Sequence, residues 1–511
     1  TAAVGGWGGD GGFSDKVTVK NDGLLITRGN SAQAILAQSI GGGGGDGGNA
    51  YSGTLMAPSV GPQGKTTSFT FALGGFAGEG NKSGEVDVQH TGDIYTEGDR
   101  SSAVQAQSIG GGGGNGGNAS TLAVNMQCDE VCADQLKNEN LSSPPSTSIS
   151  TSIGGLGGIG NDANTVTVNT KGLIQTQGNS SNGIYAQSIG GGGGDGGSTF
   201  ANSTTITGAQ KAGSSNFSVG IGGYYGSGGH GGDVSVTHAN SIMTNGYNSK
   251  GILAESIGGG GGNGGDTSGS KIGVGGGAFQ DEMSHLLDKL KESLSNLGAD
   301  ELAKILPRLT DGAAGDGGDV IVNTRLDAEA GEIEFTRADQ TTFTLKNFIM
   351  TQGQFSDAIF AQSVGGGGGI GGTVEGGTPE IAFEIEVNLP TGEKDEYGND
   401  IYAPKTVKQT IKKADGGLFA LGGDGGAGGD GGVVTVNNEL DLYTRNKSSR
   451  GIFAQSVGGG GGAGGDSDGK STIGIGGSGS MAGKGGEVSV NNQGSIYTQS
   501  TMSEGILAQS I

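Results

Sequence analysis

Hydrophobic and polar residues alternate along this chain in short runs, and the runs recur. Near the C-terminus, Val488 and Val490 flank Ser489, Ile496 and Thr498 flank Tyr497, and Ile506, Ala508 and Ser510 occupy every second position. A period of two that is rich in β-branched residues predicts short strands. The same three runs occur seven times. Their second half reads ILAQSIGGGGGDGG at 35–48 and VQAQSIGGGGGNGG at 104–117. It recurs at 184–197, 252–265, 359–372 and 452–465, and as ILAQSI at 506–511. Repeats of this size mark solenoids, in which each unit buries its apolar side only by stacking on the next.

Spacing inside the cassette is invariant. The second run ends on Thr27, Thr96, Thr176, Thr244, Thr351, Thr444 and Thr498. The third carries Ser39, Ser108, Ser188, Ser256, Ser363, Ser456 and Ser510, always 12 residues later. The last valine of the first run precedes the threonine by 8 residues in six copies. Val322 precedes Thr351 by 29, so the fifth copy holds 21 extra residues. Serine-to-serine distances range from 54 to 107. The cassettes, near 11–48, 84–117, 161–197, 231–265, 317–372, 431–465 and 485–511, are locked units joined by adjustable material. Three strands with N-x-G or G-x-x-S corners make about one coil. A Gly-rich pattern before most cassettes, such as FALGGFAGEG at 71–80, adds a strand, so each unit is expected to make two coils. At a strand spacing of about 4.8 Å the rod would be roughly 60–80 Å long. All eight prolines lie outside the cassettes, as stacked strands that must donate every N–H require.

Composition changes the picture only once the repeat is known. The 511 residues include 117 Gly and 8 Pro, a content that by itself suggests a low-complexity chain. Stacked coils explain how such a chain folds. The five-glycine run keeps its length in all six complete copies. A flexible linker needs no fixed length, so the run is expected to be ordered backbone, packed too closely for a Cβ. The position after it is Asp46, Asn115, Asp195, Asn263, Ile370 or Ala463, and Asn and Asp tolerate left-handed backbone. No Lys-Ser/Thr and no helix pattern follow the run, which argues against a phosphate loop. The net charge of −23 excludes a general nucleic-acid binder, which needs a basic surface. No apolar run is long enough for a transmembrane helix, and no secretion signal opens the chain. The seventh cassette stops inside the repeat, so the chain is expected to be a piece of a longer one.

Material between cassettes supplies three insertions: a Cys-containing loop at 120–150, a helical pair at 278–310 and a β-hairpin at 374–416. In 281–297, Met283, Leu286, Leu287, Leu290, Leu294 and Leu297 form one stripe, with Asp281 as cap and Gly298 just past the end. IAFEIEVNL and TVKQTIKKA read as the two hairpin strands. Residues 50–70 and 198–217 read as Ser/Thr-rich polar loops. Loops projecting from a regular scaffold are where binding is expected.

Candidate chemistry is sparse. Cys128 and Cys132 would form a disulfide closing a small loop in an oxidising compartment and stay free thiols in a reducing one. Alone they are too few ligands for zinc. The four histidines are scattered, and His230 and His238, flanking one strand, read as surface imidazoles. No GxSxG or GDSGG stands out, GDSDG at 465–469 being only a loose match, and no enzyme activity, catalytic residue or cofactor is assigned. Calcium is the most plausible metal for 51 carboxylates. However, the calcium nonapeptide pattern fails at Gly432 and DEYGND at 395–400 is incomplete, so a solvated acidic surface is the preferred account.

The AQSIGGGGGxGG segment resembles repeats in the passenger regions of large Gram-negative autotransporter adhesins (type V secretion). The resemblance covers the seven cassettes, about half of the chain. It implies an all-β, right-handed parallel β-helix displayed outside the outer membrane, usually ahead of a C-terminal barrel that is not visible in 1–511. Scarce, closely spaced cysteines are also what it implies for chains that cross the periplasm unfolded. The expected function is an extracellular structural and adhesive rod at the bacterial surface, supporting adhesion, cell aggregation or biofilm. Its partners would be further copies of itself, or the surface proteins and glycans of neighbouring cells. Lateral contact between rods would run through the Gln, Ser and Thr ladders. Two alternatives stand beside it. One is a subunit of a self-assembling extracellular filament. The other is a carbohydrate-active β-helix enzyme, which would need acidic or basic residues converging on one face.

Overall fold

A computed structural model describes residues 1–511 except 57–65, 127–145, 207–213, 278–311, 337–341, 379–380, 395–399, 412–413, 416 and 468–470. The cassette strands form three parallel sheets of seven strands each. The first, here the valine sheet, runs from Val17–Asp22 through Val86–Thr91 and Val166–Lys171 to Val488–Asn492. The threonine sheet runs from Leu25–Thr27 to Ile496–Thr498. The serine sheet runs from Ile35–Ile40 to Ile506–Ser510. Equivalent residues pair in register, Thr27 with Thr96 and Ser39 with Ser108.

That register corrects the coil count. Consecutive cassettes are direct hydrogen-bonded neighbours in all three sheets, so one unit makes one large coil, not two. Seven coils are about 30 Å tall at the inter-strand spacing, half the expected length. The Gly-rich strand does not start a second coil. It completes the same one, because it stacks only on its own equivalents in neighbouring coils.

Inside the three sheets the inward positions meet as columns. Val88, Val168, Val236, Val322 and Val436 form one, and Ala106, Ala186, Ala254, Ala361 and Ala454 another, all fully buried. A single coil exposes both faces of such a column, and stacking removes them from water. Burying each Val or Ile side chain contributes about 1.5–3 kcal/mol.

From the serine sheet each coil runs out through the Gly run and then into an arm. Ala50–Met56, Ala119–Met126 and Thr199–Ile206 belong to the outgoing sheet, and Thr66–Leu73, Ser146–Ile153 and Ser214–Ile221 to the returning one. Most of 50–70 and 198–217 is therefore strand, contrary to the polar loops expected. The inward side chains are small and polar: Ser146, Ser148, Ser150 and Ser152 are all buried. Hydroxyls bond across and along the arm, Thr121 with Ser152 and Ser68 with Ser148, each at 2.8 Å. Small inward residues, these hydroxyls with a buried cluster of Ala50, Ala72 and Ala119, let two sheets close tightly, so no strong hydrophobic alternation marks them.

The extra residues of the fifth copy include a small antiparallel hairpin, Ile333–Thr336 with Thr342–Leu345. Ile333, Phe335 and Leu345 pack on Met243, Phe348 and Met350 of the threonine sheet. Ile381–Lys394 and Asp400–Ile411 pair antiparallel from Ile381↔Ile411 onward. Cys128, Cys132 and the leucine stripe at 281–297 lie outside the described residues. Among the described residues there is no helix, and hence none long and apolar enough to cross a membrane.

Candidate functional site

The recurrent threonines and serines bond inside the coil. Each threonine closes the corner between its sheet and the serine sheet: Thr96 Oγ1 donates to Ser101 O at 2.6 Å and Thr176 Oγ1 to Ser181 O at 2.7 Å. Within that corner one residue per coil takes a left-handed conformation, among them Ser31, Arg100, Ser180, Phe355 and Met502, with φ between 51° and 57°. Only Asn248 (φ 50°) is of a type that favours it, so the surrounding bonds hold the turn.

The serines staple coil to coil. Ser108 Oγ donates to Gly84 O in its own coil at 3.0 Å and accepts the Asn164 N–H of the next at 2.9 Å. Ser188 does the same between Asn164 O (2.9 Å) and the Gly232 N–H (2.8 Å). From Thr96 to Thr444 and from Ser108 to Ser456 these side chains are at most 1% exposed. They are therefore not available for lateral contact between rods, which removes two of the three ladders expected to provide it. A second serine ladder went unrecognised in the sequence: Ser101, Ser181, Ser249, Ser356 and Ser449. Ser101 accepts the Ala32 N–H at 3.0 Å and donates to Gly29 O at 2.9 Å, and Ser181 repeats the pattern. Its signal was a constant offset of five from the threonine.

The glycine run is ordered, and it has a period of three. Gly44 N–H donates to Gly112 O of the next coil, and Gly45 N–H crosses to Gly9 O of the opposite Gly segment, both at 2.8 Å. Gly47 and Gly48 repeat the two directions, to Asn115 O and Gly6 O. Three residues per turn is the period of polyproline II. Two positions of each triplet face other backbone, and a Cβ at Gly44 would overlap Gly78 O. The third faces outward, and it carries the variable Asp46 or Asn115. None of these Asx residues is left-handed, contrary to the expectation. They recur because Asp46 Oδ1 accepts the Asn115 N–H at 2.7 Å and Asn115 Oδ1 the Asp195 N–H at 3.0 Å.

A polar column is buried at the corner between the valine and threonine sheets. Asn21 Nδ2 meets His90 Nδ1 at 3.0 Å, Thr170 Oγ1 meets His238 Nδ1 at 2.9 Å, and Asn438 Nδ2 donates to Asn492 at 2.7 Å. His230 is at the surface, 3.4 Å from Asp316. His238, expected there too, is fully buried, because the inward alternation of Val234 and Val236 continues into it. Burial pushes its pKa down to about 4, outweighing the Asn240 and Ser241 backbone and the Asp327 carboxylate. Burial also lowers His90.

Outside the serine sheet the glutamines form a continuous run. Gln38 bonds Gln107, Gln107 bonds Gln187 at 2.9 Å, and Gln187 reaches Glu255 at 3.1 Å. At the edge of this face Lys250 Nζ lies 5.5 Å from the Phe360 ring centre and the Arg450 guanidinium 4.5 Å from that of Phe453. Burial raises Glu255 and Asp357 and lowers Lys250. Among the described residues no three His, Cys, Asp or Glu side chains converge as a metal would require. The Thr, Ser and Asx repeats bond within and between coils. Compared with known proteins, the chain matches no family model, no curated protein and no solved structure.

Proposed function

We propose that the chain is the rod of an extracellular adhesin, a stiff support that holds side insertions and a uniform lateral face away from a bacterial surface. The observation that carries this reading is the unbroken in-register stack of seven coils, stapled at every step by buried serines. A stack whose neighbours all pair, around a continuous apolar column, resists bending. The coil is taken as right-handed, the sense that parallel crossovers adopt almost without exception. The resemblance of the AQSIGGGGGxGG cassettes to autotransporter passenger repeats supports the cell-surface setting, an outer-membrane anchor outside 1–511 and a role in adhesion, aggregation or biofilm. Displaying the chain on an outer-membrane anchor and following cell sedimentation and attachment tests the proposal. Faster settling or attachment than cells bearing the anchor alone is expected. Folded, displayed chain that changes neither would refute it.

A further inference from the structure

We infer that the outer face of the serine sheet, continued over the first outward glycine of each run, docks against the same face of a second copy. This rests on the self-associating part of the adhesin reading and names the surface that would do it. Four columns make the face, beginning at Leu36, Gln38, Ile40 and Gly43. On a chain of net charge −23, the only charged side chain in those columns is Glu255. A second acidic rod meets almost no like charge on this face, whereas the outer side of the valine sheet carries charges of both signs, Asp22 and Asp87 with Lys20, Lys171 and Arg325. On the serine sheet it meets amide, aliphatic and backbone groups.

The glycine column is the second observation. A Cβ at Gly193 or Gly194 would strike neighbouring backbone, but at Gly192 the nearest atom would be Gly260 O at 3.8 Å, and at Gly367 it would be Gly460 O at 4.0 Å. Both are exposed, and neither has the positive φ that requires glycine. The rod itself would accept a side chain at either position, yet all six complete runs carry glycine. Beside it stand exposed Ile40 and the partly buried Ile109, Ile189 and Ile257. A furrow of bare backbone next to an aliphatic ridge is self-complementary under a two-fold axis, each ridge entering the other copy's furrow. Seven coils by about 22 Å of chain give roughly 650 Å² per copy, about 1,300 Å² in total, inside the range of specific interfaces. The cations Lys250 and Arg450, partnered by Phe360, Phe453 and Glu504, form a polar rim on one side.

Sedimentation velocity on the full chain, as a concentration series into the micromolar range, tests the inference with Gly192→Glu and Gly367→Glu. Circular dichroism melting reports whether each variant folds, and Ile189→Lys serves if either glutamate does not. The wild-type chain is expected to dimerise, each charged variant to weaken dimerisation at least tenfold with unchanged melting, and Thr167→Glu on the valine sheet to leave it intact. A wild-type chain that stays monomeric, or a dimer that tolerates the glutamates and is broken by Thr167→Glu, overturns the assignment. If cells displaying the Gly192→Glu chain still aggregate, the face is wrong while the adhesin reading stands. If wild-type chain dimerises through the face but displayed cells neither aggregate nor attach, the reverse holds.

Discussion

Ser256 and Gly318 belong to different coils and are joined by one hydroxyl: the Gly318 N–H donates to Ser256 Oγ at 2.8 Å while that oxygen donates to Gly232 O, also at 2.8 Å. On either side the Gly231 N–H donates to Asp316 O and the Val234 N–H to Asp319 O, so the side chain fills the gap between these backbone bonds. Ser256→Ala leaves a half-buried N–H and a half-buried carbonyl without their partner, each costing about 1 kcal/mol or more. Denaturant unfolding should show a loss of a few kcal/mol. Ser256→Thr keeps the hydroxyl but adds a methyl group to a closed site. A destabilisation by alanine below 0.5 kcal/mol, the scale of an ordinary surface change, would remove the staple from the account.

The two kinds of glycine in one run should respond oppositely. At Gly194 an added Cβ overlaps the Gly114 carbonyl, whereas at Gly192 it stands in ordinary contact distance. Gly194→Ala is expected to prevent the coils closing and to lower the melting temperature sharply. Gly192→Ala should be neutral or stabilising by a few tenths of a kcal/mol to about 1, through the unfolded chain's lost freedom. Equal melting of the two variants would contradict the threefold packing.

Acid should destabilise the rod above the pH at which ordinary carboxylates titrate. The unfolded His238 ring takes up a proton near its ordinary 6.5, but in the folded chain burial holds it to about 4. Stability from the neutral ring is whole above about pH 6.5 and is lost as pH falls toward 4, an effect of about 3 kcal/mol for a shift of this size. His238→Thr, the residue that fills this column at Thr170 and Thr324, should flatten the dependence over that window. The smaller share from His90, lowered by the same cause, should remain. Melting curves from pH 7 to 4 that coincide for both chains would rule this out.

Within the arm, Ser150 Oγ is buried with no hydrogen-bond partner, whereas Ser148 bonds Ser68. Ser150→Ala removes a desolvated group without breaking a bond and should stabilise by about 1 kcal/mol. Ser148→Ala should cost about that much. Chemical denaturation of the pair measures both, and an equal loss from each would show that Ser150 has a partner, such as an ordered water.

The difference between the arm and the cassettes explains what could be read in advance. Val234, Val236 and Ile242 alternate visibly because one side of their strands meets an apolar column. In the arm, Ser146, Ser148, Ser150 and Ser152 are equally buried but look like a loop, since the inward positions are small and polar. The threonine and serine ladders were visible as spacing, whereas their direction was not. Thr244 and Ser256 point inward, and Gln107 and Gln187 are buried too, so the lateral contacts first expected of these ladders are proposed instead for the aliphatics and glycines outside. His238 followed the same rule: its neighbours in sequence looked like a surface strand end, but the alternation placed it inside.

The amino-acid sequence by itself determined the cassette strands, the locked cassette and the stacking of equivalent residues, because these follow from local alternation and exact repetition. Only the tertiary structure decided that one unit closes one coil, that the glycines form a three-residue lattice with one outward position, and which polar groups are buried. Those properties depend on contacts between residues dozens of positions apart. Backbone carbonyls and hydroxyls from separate coils meet there, and no single stretch of chain carries both partners.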